Sequence, residues 1–272
     1  MIWNFDECDW RPQKVVRSIR PVKSSTEVIH VELDEGKAFL KGMGNPQGDE
    51  CLAFEIIGTR LARLAGLFVP DYAIIEHNFL ELTRISGHPV LHGPAFVSRA
   101  LPGHPGGGGG FLARSVNLYD IPLLVALDTW LANNDRCPPE DALDPSPNWD
   151  NIFFVPLASG GYQMTVFDHT HCFAESTLED ALMDKAFEED DRIYGAFDEF
   201  TDYLTESEIR RVCASIRAID ENAIAGVIET LPAQWGLGVA IREQLLEQIL
   251  NRRDALERIL INRLIPQRVM EF

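Results

Sequence analysis

The sequence predicts an α+β protein of two lobes with a cleft at their joint, on three observations. The first part of the chain alternates in short apolar runs, as strands do. The part after about residue 113 carries apolar residues at helical spacing. Between them stands "PGHPGGGGGF", Pro102 to Phe111, the most flexible composition in a chain of 272 residues. The expected division is a strand-rich lobe over 1–101, a glycine-rich linker or flap over 102–112, and a helical lobe with one embedded hairpin over 113–272. That length suffices for a substantial buried core.

In the first lobe, "VVRSI", "EVIHVEL" and "KAFLKG" are separated by the polar stretches "KSST" and "DEG". Short β-branched runs bounded by turn residues read as strands, and Asp34-Glu35-Gly36 as a hairpin turn. "MGNPQGD" is a loop by its Gly, Asn and Pro content. From about Glu50 to Ala65 the pattern is helical, with Leu52, Ile56, Thr59 and Leu64 set against Glu55, Arg60 and Arg63. Gly66 stops it. "VPDYAIIEH" and "PAFVSRAL" read as two further strands. The five-glycine run does not match a phosphate cradle, because such loops intersperse their glycines and lead into a helix through Lys-Ser/Thr.

In the second lobe, "YDIPLLVALDTWLAN" is an apolar helix of about four turns. "WDNIFFVPL" and "YQMTVFDHTHCF" read as strands joined by the turn "ASGG". From about Leu178 the chain is helical: "EDALMDKAFEE", "TESEIRRVCASIRAI", "ENAIAGVIETLP" and a long last helix from about Val239 to Leu264. Thr205 and Glu208 have capping-box spacing.

Composition narrows the function classes. Hydrophobic residues at 46% and charged residues at 24% are ordinary for a globular chain. A formal charge of −18 repels a phosphate backbone and argues against nucleic-acid binding by the chain itself. The run Glu188–Asp191 reads as a solvated face. Five scattered cysteines without a CxxC suggest neither a disulfide framework nor a zinc site, and point to a reducing cytoplasm. No apolar run reaches the roughly 18 residues of a membrane span.

Five side chains on these elements suggest chemistry. Lys41 ends a strand, and Glu55 lies fourteen residues on, in the next helix. Asp135 follows the apolar helix, Asn151 opens the hairpin, and Asp168 closes its second strand. Each alone has a plainer reading: a solvated Lys, an exposed helix Glu, a turn cap. Together their order resembles the layout of protein kinases. A triphosphate needs an ammonium and a divalent metal held by hard oxygens. On that layout Glu55 aims Lys41, Asn151 and Asp168 hold magnesium, and Asp135 orients the acceptor hydroxyl and takes its proton.

The chain is similar to the HipA-like kinases, a bacterial branch of the protein-kinase-like fold. The resemblance rests on "KAFLKGMGNPQGDECLAFEIIGTRLARLAGLFVPDYAII", on "LDTWLANNDR" beside the family's D-x-W-x-x-N-x-D-R, on "DNIFF", on "VFDHTHCF" where the family has its DFG-type strand, and on the C-terminal "LPAQWG" with "LLEQILNRRDALERIL". It implies a bilobal protein-kinase-like fold with a strand-rich N-lobe and a mainly helical C-lobe. It also implies ATP and Mg2+ as cofactors, a protein Ser/Thr acceptor, and a regulatory or antitoxin partner. The long N-terminal subdomain of full-length toxin members has no counterpart in this sequence, so a compact catalytic core is expected. A small-molecule or lipid kinase of the same fold, and a nucleotide-binding pseudokinase, are the alternatives.

The sequence departs from the family at several points. The catalytic Asp and metal Asn are commonly about five residues apart, whereas sixteen positions separate Asp135 from Asn151 here, because "CPPEDALDPSPNWD" intervenes. Asn148 and Asp150 compete for the Asn role. Thr170 stands at the DFG glycine. No G-x-G-x-x-G precedes Lys41; the equivalent turn is "PVKSSTEV", where Ser24, Ser25 and Thr26 offer N–H and hydroxyl groups to phosphate with Lys23 nearby, unless it is an ordinary polar turn. In related kinases such a serine can itself be phosphorylated and swing out, which would fall on Ser24 or Ser25. The hinge is expected in "FVSRALPG", with the backbone of Val97, Ser98 and Arg99 meeting the adenine. His169 and His171, alternating on a strand, are read as packing or supporting groups rather than metal ligands. Trp130, Phe153 and Phe154 are read as core.

Overall fold

In a computed structural model, residues 8–78, 80–106, 109–142, 145–173 and 177–265 are described. Five strands form in the first lobe: β1 (Val15–Pro21), β2 (Ile29–Leu33), β3 (Gly36–Lys41), β4 (Tyr72–His77) and β5 (Gly93–Arg99), with helix α1 (Glu50–Ala65) between β3 and β4. They pair antiparallel in the order β1-β2-β3-β5-β4. The period of two that suggests the strands also sorts their side chains. Val31, Ala38, Leu40, Ala73, Ile75, Ala95 and Val97 pack into a core on one face. Tyr72, Ile74 and Phe96 join the main core with α1. Lys41 therefore stands opposite Leu40, on the face that α1 covers.

Helix α1 ends at Gly66, whose φ of 101° places it in the left-handed region, with its N–H reaching Ala62 O and Arg63 O. A residue with a Cβ is strained there, which is why glycine stops the helix. Glu55 and Arg60 were expected on a polar face, yet they are buried. The reason is the layering: α1 is covered by the sheet on one side and by the second lobe on the other. Arg60 is satisfied by Thr230 Oγ1 at 2.7 Å and Glu55 by the groups described below.

The second lobe holds β6 (His104–Pro105), α2 (Gly109–Leu112), α3 (Ile121–Leu131), β7 (Ile152–Pro156), β8 (Tyr162–Val166), α4 (Leu178–Met183), α5 (Ala186–Glu189), α6 (Glu206–Arg217), α7 (Glu221–Glu229) and α8 (Val239–Leu264). Every residue of α3 is buried, as its unbroken apolar sequence requires. It is locked to α8 by Trp130 Nε1 donating to Ile249 O at 2.8 Å and by Arg252, which donates to the carbonyls of Trp130, Thr129, Phe187 and Asp190. Thr205 caps α6, its hydroxyl accepting from Glu208 N. The described part of the glycine-rich stretch is fastened rather than loose. His104 and Pro105 pair with Phe154 and Phe153, Gly106 N donates to Ile152 O at 3.1 Å, and Phe111 stacks on His104. Gly107 and Gly108 lie outside the described residues, as do Leu143 and Asp144 of the insertion.

Candidate active site

A cleft of about 300 Å³ opens between the lobes, walled by Val22, Val28 and Phe39 above and by Phe153 and Phe167 below. Its polar end holds Lys41, Glu55, Asn151 and Asp168. Lys41 Nζ donates to Glu55 Oε2 at 2.9 Å and to Asp168 Oδ1 at 2.7 Å, so strand, helix and the segment after β8 meet at one ammonium. Burial alone would lower the Lys41 pKa, but Asp168 and Glu55 outweigh it and raise it. For Asp168 burial acts upward, yet the ion pair and hydrogen bond with Lys41, helped by Thr170, hold the carboxyl well below the usual carboxylate range. Glu55 is raised, by burial first and by the second carboxylate nearby.

Asp168 sits two residues past β8 with φ of 61°, a left-handed conformation rare for a residue with a Cβ. The surroundings hold it there. Thr170 Oγ1 donates to Asp168 Oδ1 at 2.8 Å, and His169 N donates to Glu55 Oε2 at 2.9 Å. Gly58 lets α1 approach: a Cβ at this position would stand 2.3 Å from His169 Cβ. His169 is buried, with Nδ1 3.3 Å from Thr59 Oγ1, and burial followed by Arg136 pushes its pKa well below 6.5. His171 Nε2 lies 3.4 Å from Ser25 Oγ.

The segment after α3 is organised by Asp128 and Arg136. Ala132 turns left-handed with φ of 49°, and Asn133 folds back so that its N and Nδ2 donate to Asp128 O and Oδ1 at 2.9 and 3.0 Å. Arg136, fully buried, pairs with Asp128, donates through Nη2 to Phe167 O at 2.8 Å and through Nε to Asn151 O at 3.3 Å. One guanidinium thus ties α3, the start of β7 and the residue before Asp168. After the insertion the chain returns Asn151 to the loop, where Asn151 Nδ2 donates to Asp135 Oδ2 at 2.6 Å. Asp135 is half-buried beside Asn151 and outside the lining of the cleft.

Of the sequence-predicted residues, Lys41, Glu55, Asn151, Asp168, Ser24, Ser98 and Arg99 line one cleft. The others are placed differently, and Phe153, read as core, is half-buried and walls the cleft. Val97 is fully buried in the sheet core away from the cleft. Moreover, Val97 and Ser98 are paired on both sides, with Leu40 and Ala73 and with Phe39 and Tyr72, while Arg99 N and Ala100 N donate to Asp71 O and Lys37 O. Backbone inside a ladder has no N–H to spare for a base, so the first main chain beyond the pairing at the cleft is Leu101. Thr26 is also buried and away from the cleft; its carbonyl accepts from Asn45 Nδ2 at 3.0 Å. Ser24 Oγ accepts from Val28 N at 3.2 Å, and Ser25 is exposed outside the cleft lining. Sequence reasoning missed Thr170 and Arg136 as groups that hold the site. The signal for Arg136 was present, as part of "LDTWLANNDR".

No protein-family model and no curated protein matches the chain. Among solved structures, the Helicobacter pylori proinflammatory kinase CtkA superposes with a TM-score of 0.56 at 15% identity, covering 95% of this chain and 96% of that one. The chain shares the fold of this kinase. The toxin HipA of Shewanella oneidensis MR-1, solved with HipB and operator DNA, aligns at a TM-score of 0.43 and 14% identity over 95% of this chain and 69% of that one. Two hard oxygen donors stand at the polar end of the cleft. Asp168 offers a carboxylate and Asn151 an amide oxygen, whose nitrogen is engaged by Asp135. Such donors could hold a hard divalent cation, though two are too few for an all-protein cage. Among the described residues no three of His, Cys, Asp and Glu gather as a metal site, and no helix is long and apolar enough to cross a membrane.

Proposed function

We propose that the protein is an ATP- and magnesium-dependent phosphotransferase acting on an alcohol, with serine or threonine of a protein as acceptor. The observation that carries this reading is the meeting of Lys41 with Glu55 and Asp168 in the interlobe cleft. Lys41 binds phosphate oxygens, Glu55 keeps it aimed, and Asn151 with Asp168 holds the metal. Bound magnesium supplies charge neutralisation at the phosphates. Asp135 accepts the hydrogen of the acceptor hydroxyl and orients its oxygen for attack. Val22, Val28, Phe39 and Phe153 offer the apolar walls an adenine requires, and Leu101 the hinge backbone.

The pseudokinase alternative draws on the wide spacing of Asp135 and Asn151; their direct hydrogen bond supports the active reading over it. The protein acceptor and an antitoxin-like regulatory partner follow from the sequence resemblance. The same reading assigns the protein to the cytoplasm, in keeping with five free cysteines, all buried. The test is transfer of γ-labelled phosphate from ATP. Label on protein that requires magnesium, and that disappears in Asp168→Asn and Asp135→Asn, is the expected result. Label on small acceptors alone turns the reading to a small-molecule kinase. No transfer, with no rise in unfolding temperature on adding ATP and magnesium, overturns it.

A further inference from the structure

The insertion between Asp135 and Asn151 does more than leave the loop and return. Its last turn is stitched onto the segment it left: Asn148 N donates to Arg136 O at 2.8 Å, and Asn151 N to Asn148 O at 3.3 Å. Trp149 anchors the turn against Phe197, with ring centroids 4.2 Å apart. From that position Asn148 Nδ2 donates to Asp135 Oδ1 at 3.3 Å, while Asn151 Nδ2 holds Oδ2. Asn148 Oδ1 accepts from Asp150 N at 3.2 Å, which fixes the amide so that its nitrogen faces Asp135.

We propose that Asn148, supplied by the insertion, is a positioning residue for phosphoryl transfer. It is the second half of an amide clamp that aims the Asp135 carboxylate at the acceptor hydroxyl. The inference rests on the phosphotransfer reading. A carboxylate held at one oxygen still swings about that contact; held at both, it keeps one direction for its remaining lone pairs. An acceptor hydroxyl must meet such a lone pair at hydrogen-bond distance, and small misplacements of the partner cost rate rather than binding. The Asn148 side chain lies outside the cleft lining and touches Asp135 alone among the residues assigned a chemical role, and its backbone bond with Asn151 N survives substitution, so its loss leaves nucleotide contacts in place.

Two variants of the full chain test this, read with γ-labelled ATP and magnesium and with label on the chain itself as the signal. Asn148→Ala is expected to lower the transfer rate at saturating ATP by about tenfold, with the KM for ATP unchanged and the unfolding midpoint lowered only by the lost Asp150 N bond, which Asn148→Asp keeps. Asn148→Asp keeps the shape and the acceptor for Asp150 N but lacks the N–H. It is expected to lose at least as much, because an acceptor replaces the donor. A structural role predicts the reverse: the isosteric variant restores the rate, and Asn148→Ala lowers stability and nucleotide affinity together. Either pattern overturns the proposal. Crystal structures of the unliganded chain read the clamp without turnover. Asp135 in one rotamer in the unaltered chain and displaced in Asn148→Ala supports the clamp; the same rotamer in both overturns it. A clamp present in a chain that transfers no phosphate sinks the functional reading alone.

Discussion

Lys41, Glu55 and Asp168 come to one point from three elements, with the aspartate 127 positions along the chain from the lysine that holds it. Asp128, Asn133, Asp135, Arg136, Asn148 and Asn151 belong to one stretch and hold one another within the second lobe. The first cluster joins the lobes by charge, and a single ammonium serves two carboxylates. The second is mostly backbone and amide hydrogen bonds around one buried guanidinium, complete without the other lobe. This difference teaches where each half of the site gets its shape. The loop is formed by its own residues, whereas the position of Lys41 relative to Asp168 depends on how the lobes close.

The comparison breaks first at Arg136. Replacing it by alanine leaves Asp128 buried without its cation and takes the donors from Phe167 O and Asn151 O. Removing one partner of a buried pair costs roughly 3–5 kcal/mol, so Arg136→Ala is expected to shift the urea midpoint by that equivalent. An unchanged midpoint would show that the loop is held by something else.

Next in size is Lys41→Met, which strips a charged hydrogen-bond donor from two buried carboxylates, at a cost of about 1.5–3 kcal/mol at neutral pH. The sign with pH separates the clusters. In the unaltered chain the Asp168 pKa is depressed, so its contribution is present above about pH 4 and lost as pH falls. In Lys41→Met the two carboxylates lack a cation, and burial with mutual repulsion raises them. Protonation then relieves the variant, and its deficit shrinks as pH falls from about 7 toward 4. Thermal unfolding of both proteins across that range checks this; a deficit constant with pH would mean that the ion pair does not join the lobes.

The same contrast governs how much was legible in the sequence. The limits of α8 and the stop at Gly66 were readable because helical period and a glycine terminus are local properties. Lys41, Glu55, Asn151 and Asp168 were readable as a set because residue types in a fixed order on a fixed series of elements survive a long insertion. The hinge register was not, since nothing local to "AFVSRAL" says that β3 and β4 flank β5 through Ser98. Leu101 followed by Pro102, which has no N–H for a ladder, was the available cue. The burial of Glu55 and Arg60 escaped helical patterning because it comes from two layers packed on opposite sides of α1, and the burial of Thr26 from Asn45 closing over its backbone.

The smallest expected effect sharpens the comparison most, because it touches charge without removing any. Thr170 Oγ1 donates to the same Asp168 oxygen that Lys41 holds. Thr170→Val keeps the shape and the β-branch in a buried position and deletes one donor, at a cost of about 1 kcal/mol. With one donor fewer, the depressed Asp168 pKa moves part of the way back up. The deficit is therefore expected at neutral pH and closes as pH falls and Asp168 takes a proton in both proteins, since the missing bond matters only to the ionised carboxylate. That direction matches Lys41→Met at about a third to two-thirds of the size. Unfolding free energies of the two single variants and of the double variant then measure the coupling between the two donors. Additive losses would mean that Thr170 and Lys41 hold Asp168 independently. A double loss smaller than the sum would mean that the hydroxyl acts by keeping Asp168 in its left-handed turn, where the ammonium of the other lobe can reach it.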